Sequence, residues 1–454
     1  MLPGRTSVPT VELRAGTSGA VTTEVKKLGD RSVVFIQIGP TAKLGALDLA
    51  DSEKLADAVG QALEHRLPMV AVMASTGAFV PDGIAATHGW GLAARQLVHA
   101  SGVVPLVIVL DGPAVSGVAL LLGLADVVIM CRDAYAFVTG PRIVHSVTGV
   151  PVSSEGLGGA TMHARRTGVA SLVADDRETA LAMVEELLSF LPDHTDDLPH
   201  RWAATDDPER ALPTVAEMLP TSSTGSYDVR RIVAETVDDN YLLELREGFA
   251  PNLVTALATL DGAPVGILAN QPQALAGTID IEASQKGARF VAMCDAFNLP
   301  LLTFVDTPGF YPGKDLEWRG MIRHGAELAF AYARATVPRI SVTLRKSYGG
   351  AYIVMDSKTM GSDLALAWPG AEIAVMGAKG AVEILHRRAD EDERARLEID
   401  YEARLLNPYV AADRGLIDAV IDPADTRREL CSALAVLESK RESLPPRSHD
   451  NSPL

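Results

Sequence analysis

Four glycine-containing turns are the places where this sequence could do chemistry, and the chain offers backbone donors rather than a side-chain triad. Lys346-Ser347-Tyr348-Gly349-Gly350-Ala351-Tyr352 follows the apolar run 339–345 and precedes a helical pattern. Glycine at such a junction lets the main chain approach a ligand closely. The first N–H groups of a helix have no intrahelical acceptor and lie at the positive end of its dipole, so they can stabilise a developing oxyanion. Val375-Met376-Gly377-Ala378-Lys379 repeats the arrangement, with the amides of Gly377 and Ala378 as a candidate pair. Asp306-Thr307-Pro308-Gly309-Phe310-Tyr311-Pro312-Gly313 is a stiff loop after a strand, the place where sites gather in α/β folds. Gly112-Pro113-Ala114-Val115-Ser116-Gly117 is an earlier counterpart of the Gly349-Gly350 turn, with the amides of Ser116 and Gly117 as expected donors. Taken alone, each pattern also fits a tight turn that packs a helix on a strand.

Side-chain chemistry is poorly represented. The ten histidines are scattered without His-Glu-x-x-His spacing, and no Gly-x-Ser-x-Gly elbow, P-loop or complete Gly-x-Gly-x-x-Gly motif occurs. His145, His163 and His324 read as surface or satisfied polar groups. Cys131, Cys294 and Cys431 are far apart and show no Cys-x-x-Cys spacing, so neither a metal site nor a disulfide framework is expected. Reduced thiols in a cytoplasmic protein are the simple reading.

The elements that must hold these turns alternate between short apolar runs and helical patterns. Candidate strands lie at 32–38, 68–74, 105–111 and 126–131, and again at 263–270, 300–306, 339–345 and 372–378. Helical patterns run from Asp51 to His65 and from Ile281 to Phe297. Apolar strands joined by helices indicate an α/β fold. The spacing repeats: Pro68 to Gly77 matches Pro300 to Gly309, and Pro105 to Gly117 matches Pro338 to Gly350. Phe137-Val138-Thr139-Gly140-Pro141 then corresponds to Val375-Met376-Gly377-Ala378. Three landmarks in the same order favour internal duplication. The expected organisation is an N-terminal domain over 1–205, a linker over 206–226 rich in Pro, Ser and Thr, and a C-terminal domain over 227–454.

Charge and hydropathy bound the partners. The 454 residues carry 41 Lys and Arg against 58 Asp and Glu, a formal charge of −17. That argues against nucleic acid and anionic membranes, yet leaves room for an anionic ligand held by local amides. The first sixteen residues lack a basic-then-apolar signal pattern. Ser116 to Met130 is interrupted by Asp126 and is too short to span a bilayer, so it reads as a buried helix followed by a strand.

The second half, through ANQPQALAGTIDIEASQKGARFVAMCDAFNLPLLTFVDTPGFYPG, TVPRISVTLRKSYGGAYIVM and WPGAEIAVMGAKGAVEILHRR, resembles the β (carboxyltransferase) subunits of biotin-dependent propionyl-CoA and acetyl-CoA carboxylases. FVTGPRIVHSVTG and LGGATMHARRTGVASLVADD resemble the first domain of the same family. The resemblance implies two tandem crotonase-like domains. It implies an acyl-CoA thioester on the first and carboxybiotin on the second. It further implies an active site formed between protomers of a homo-hexamer, and a biotin carboxylase and biotin carboxyl carrier as partners. Carried over, Gly377 and Ala378 would serve the biotin ureido oxygen. Ser116 and Gly117 would serve the thioester oxygen, and the freed biotin nitrogen would take the acyl α-proton. Gly77, Ala78, Phe79, Gly140, Pro141, Gly309, Phe310, Tyr348, Gly349 and Gly350 would line the substrates. No metal is implied in this subunit. The first half departs from the family in two places. It has Val115-Ser116-Gly117 where Ala-Gly-Gly is usual, and Phe79 and Pro81 where the Gly77–Gly83 loop usually carries Arg and Gln. A biotin-independent decarboxylase of a β-carboxylated acid, and a non-catalytic paralogue in a mixed carboxylase, are the alternative readings.

Overall fold

The structure, a computed structural model, describes residues 11–12, 19–39, 43–222 and 224–453. Most of the first sixteen residues, read above for a leader, therefore lie outside the described residues. Two compact units appear, Met1–Leu198 and Pro199–Leu454.

In the first unit the strands run, in spatial order, Val11–Glu12, Val21–Leu28, Arg31–Ile38, Met69–Ser75, Leu106–Val115, Val127–Cys131 and Leu172–Ala174, with Tyr135–Phe137 pairing to the far end of Leu106–Val115. The first two pairings are antiparallel and the rest parallel. The second unit repeats this order with Leu243–Glu244, Leu253–Leu260, Ala263–Asn270, Leu301–Thr307, Arg339–Tyr348, Leu364–Ala367 and Ala419–Val420, and Glu372–Ala374 pairs to the end of Arg339–Tyr348. Even the irregularities recur. The register slips between Met73 and Ser75 in one unit and between Val305 and Thr307 in the other, on the strand that leads to each glycine loop.

Burial explains the strand patterns. Every residue of Met69–Ser75 and of Leu301–Thr307 is buried, as expected for central parallel strands covered on both faces. The helices Leu49–His65 and Ile281–Ala296 pack on these sheets. Each is capped by an aspartate, Asp48 and Asp280, whose side chain accepts from the amide three residues on.

Two expectations need correction. The candidate strand at 372–378 stops at Ala374, because Ala378 already begins a helix, Ala378–Leu385. The stretch 206–226 is stitched to the second unit. Leu212 and Val215 are buried in that unit's core, the Leu212 N–H donates to the Ala424 carbonyl at 2.8 Å, and Arg427 reaches the Asp206 and Asp207 carbonyls. With few apolar residues to bury, the stretch shows no periodicity, although the ones it has are anchors.

Candidate functional site

In each unit the candidate site is built where two central strands end. Met69–Ser75 leads into Gly77, whose φ is +103°. A Cβ on Gly77 would lie 2.9 Å from the Val115 carbonyl oxygen, so the loop can close on the neighbouring strand only with glycine there. The Leu47 N–H donates to the Gly77 carbonyl, and the Phe79 N–H donates to the Leu47 carbonyl. This ladder occupies the groups flanking Ala78 and turns the Ala78 amide to the opposite side, toward the end of Leu106–Val115. The second unit repeats the device: the Ile279 N–H donates to the Gly309 carbonyl and the Tyr311 N–H to the Ile279 carbonyl, which turns the Phe310 amide the same way.

The neighbouring strands end in the expected turns. Ser116 has φ 63° and ψ −134°, a conformation that ordinarily belongs to glycine, and Gly349 at the matching position of the second unit has φ 60°. Gly117 and Gly350 follow, each near the start of a short helix, Gly117–Leu121 and Gly349–Val354. An aromatic ring covers the Cα of each. A Cβ on Gly117 would meet Trp90 Nε1 at 2.7 Å, and one on Gly350 would meet the Phe310 ring at 3.3 Å.

One sequence expectation fails here. The Ser116 N–H donates to the Phe137 carbonyl at 3.0 Å, because Tyr135–Phe137 pairs alongside and extends the sheet to this point. The Ser116 amide is therefore spent on the fold. That leaves the Gly117 amide, at the first position of its helix, as the donor this turn can offer.

The third turn differs between the units in a way that matters. Gly140 precedes the helix Pro141–Thr148, and Gly377 precedes Ala378–Leu385. Pro141 has no N–H to offer. Ala378 has one, and Gly377 in its extended conformation (φ −61°, ψ 154°) has another. Tyr348 flanks them: its ring is 3.5 Å from where a Gly377 Cβ would stand, and its hydroxyl donates to the Glu372 carboxylate. Burial, with Glu372 beside it, pushes the Tyr348 phenol well above its ordinary value, so this ring stays neutral.

A buried network that the sequence did not signal supports the Gly309–Phe310 loop. Asp306 accepts from the Tyr227 hydroxyl at 2.8 Å, from Arg345 Nε at 3.0 Å and from the Lys346 N–H at 3.0 Å. Burial raises the Asp306 carboxyl while Arg345 opposes the rise, and burial with the adjacent Asp306 raises Tyr227 well above its usual range. Trp90 was missed too, since nothing local in the sequence couples it to Gly117. The three cysteines are buried and unpaired, and His163 is satisfied by the Ala136 carbonyl. No helix among the described residues is long and apolar enough to cross a membrane.

Backbone amides at such helix starts fit an oxygen that gains negative charge. A family profile described as "Carboxyl transferase domain" matches residues 12–452. The chain is 44% identical over 417 residues to the carboxyltransferase subunit of propionyl-CoA carboxylase from Haloferax mediterranei, covering 90% of this chain and 81% of the relative. It is 42% identical over 413 residues to the propionyl-CoA carboxylase beta chain of Roseobacter denitrificans, covering 90% of this chain and 81% of that one. Among solved structures, a transcarboxylase 12S hexamer with methylmalonyl-coenzyme A and methylmalonic acid bound superposes with a TM-score of 0.94 at 40% identity. The match covers 96% of this chain and 85% of that one.

Proposed function

The chain belongs to the carboxyl transferase family, and from that membership we propose that it is the carboxyltransferase subunit of a biotin-dependent acyl-CoA carboxylase, built from two tandem crotonase-like units. What supports the reading is that Gly117 and Ala378 each open a helix just after a strand, that Gly377 is extended before Ala378, and that the bonds of Leu47 to Gly77 and Phe79 leave the Ala78 amide outside that pairing.

In the first unit the Ala78 and Gly117 amides would hold the thioester oxygen of an acyl-CoA. As the α-proton leaves, negative charge moves onto that oxygen, and fixed N–H donors stabilise the resulting enolate more than the neutral thioester. The α-carbon of the enolate is then the nucleophile that accepts the carboxyl group. Biotin carried on a partner protein supplies that group in activated form. In the second unit the Gly377 and Ala378 amides would hold its ureido oxygen, beside the neutral Tyr348 ring. The space that glycine leaves at 377 is what the second unit provides for a ligand to reach those amides.

An oligomer is proposed, as in the hexameric transcarboxylase 12S. Supporting it are the apolar residues that each unit leaves uncovered: Ile143 and Val147 on a helix with no buried residue, and Ile322, Ile384 and Leu385 in the second unit. Partners are a biotin carboxylase and a biotinylated carrier, in the cytoplasm. No observation favours the decarboxylase or non-catalytic readings.

The test is transfer of labelled bicarbonate carbon into an acyl-CoA panel by the full chain together with a biotinylated carrier and its biotin carboxylase. Label in an acid-stable, CoA-linked carboxyl is expected. Label that stays on the carrier with every acyl-CoA would contradict the reading.

A further inference from the structure

Ser116 holds a conformation that its counterpart Gly349 adopts without a side chain, φ 63° against 60°. Its backbone is pinned on both sides: the N–H donates to the Phe137 carbonyl at 3.0 Å, and the carbonyl accepts from the Ala119 N–H at 3.0 Å. The direction of its side chain is therefore set by the fold. Its Cβ lies 3.7 Å from where a Gly77 Cβ would stand, so the hydroxymethyl group starts beside the Gly77–Ala78 loop, one residue before Gly117. The residue is exposed, and its hydroxyl has no hydrogen-bond partner among the described residues. Trp90 Nε1, 2.7 Å from where a Gly117 Cβ would stand, has none either. Two uncommitted polar groups thus belong to the turn assigned to the thioester oxygen.

We propose that Ser116 is a specificity-determining residue whose hydroxyl reads a hydrogen-bonding substituent next to the acyl carbonyl, so that the acceptor is an acyl-CoA oxygenated at its α- or β-carbon. Backbone strain at a residue the fold could supply as glycine points from structure to function. A hydroxyl at this position meets the acyl group within the first two carbons of the carbonyl. An unsubstituted alkyl acceptor would leave that hydroxyl dry and unpaired, whereas an oxygenated one satisfies it. This inference rests on the proposed acyl-CoA role of the first unit.

Calorimetric titration of the full chain with butyryl-CoA and with its 2-hydroxy and 3-hydroxy counterparts tests it without requiring turnover. The wild type is expected to bind one hydroxylated thioester roughly five- to tenfold more tightly than butyryl-CoA, the worth of one neutral hydrogen bond. Ser116→Ala and Ser116→Gly, both expected to fold, should each bring the ratio near one. A preference that survives in Ser116→Ala and changes only in Ser116→Gly shows a steric role and overturns the proposal, as does a wild type without preference. If no thioester binds at all, the acyl-CoA assignment itself fails and carries the proposal with it. Binding with an unaltered ratio in both variants rejects the proposal alone.

Discussion

Ala378 in the second unit stands where the first unit has Pro141: each is the first residue of the helix that follows Gly377 or Gly140. One position of a duplicated fold thus carries an N–H in one half and none in the other. The strand order, the register slip and the bridge from Leu47 or Ile279 to the glycine loop are shared. What differs is the third junction: Ala378 after Gly377 offers an N–H, and Pro141 after Gly140 offers none.

Ser116→Gly should stabilise the fold. A non-glycine residue at φ 63°, ψ −134° costs on the order of 1–3 kcal/mol, and glycine returns about 1 kcal/mol of that as lost chain entropy. A net rise in melting temperature is expected. Gly349→Ser should do the reverse, since φ is 60° there and a Cβ would come within 3.1 Å of the Val375 carbonyl. Thermal melts of both variants check the pair; a lower melting temperature for Ser116→Gly would show that the serine is unstrained.

Gly117→Ala should cost roughly 1–3 kcal/mol as an overpacked contact, because its Cβ would fall 2.7 Å from Trp90 Nε1. Adding Trp90→Ala should recover part of that loss, giving a coupling that two independent sites would lack. A double-mutant cycle in melting experiments measures it, and additive losses would mean that the ring moves aside freely.

The sheet strands and the duplication were legible because fully buried parallel strands are short apolar runs and because the loop glycines recur at equal spacings. The hairpin strands Val21–Leu28 and Leu253–Leu260 were not, since their order and pairing depend on distant segments. Within the site, the glycines announced themselves through their types. The loss of the Ser116 amide to Phe137 did not, because it arises from a strand pairing between residues far apart in the chain. The Asp306 network escaped for the same reason: Tyr227, Asp306 and Arg345 meet only in the folded unit. The 206–226 stretch looked like a linker because two anchors, Leu212 and Val215, make no period.

Lys286 predicts a pH dependence of stability. Its amine is buried and donates to the carbonyls of Arg246, Phe249 and Ala250 at 2.9, 2.9 and 3.3 Å. Burial lowers its pKa from 10.5 to about 7, with Glu244 and Glu247 opposing and Arg230 and Arg246 assisting. Burial thus works against the ammonium relative to a free lysine, while the three carbonyls, one more than a neutral amine can serve, work for it. With its pKa lowered, the lysine's contribution is full above the free-lysine value, falls as pH drops from there toward 7, and is level below. Relative to Lys286→Met, the wild type should gain roughly 1.4 kcal/mol per pH unit at most between pH 7 and 9.5. Melts of both proteins across that range are the check, and parallel curves would mean that the three carbonyls hold the ammonium against its burial.

The central claim is that backbone amides of the second unit hold the oxygen of the carboxyl donor, and Ala378→Pro tests it most directly. Proline is accepted at the first position of a helix, as Pro141 already shows, and the extended Gly377 before it suits proline. The substitution deletes one N–H and leaves the fold in place. Carboxyl transfer from the biotinylated carrier to the acyl-CoA should fall by about 10²–10³-fold with an unchanged melting temperature. Transfer at the wild-type rate by a well-folded Ala378→Pro chain would contradict the account.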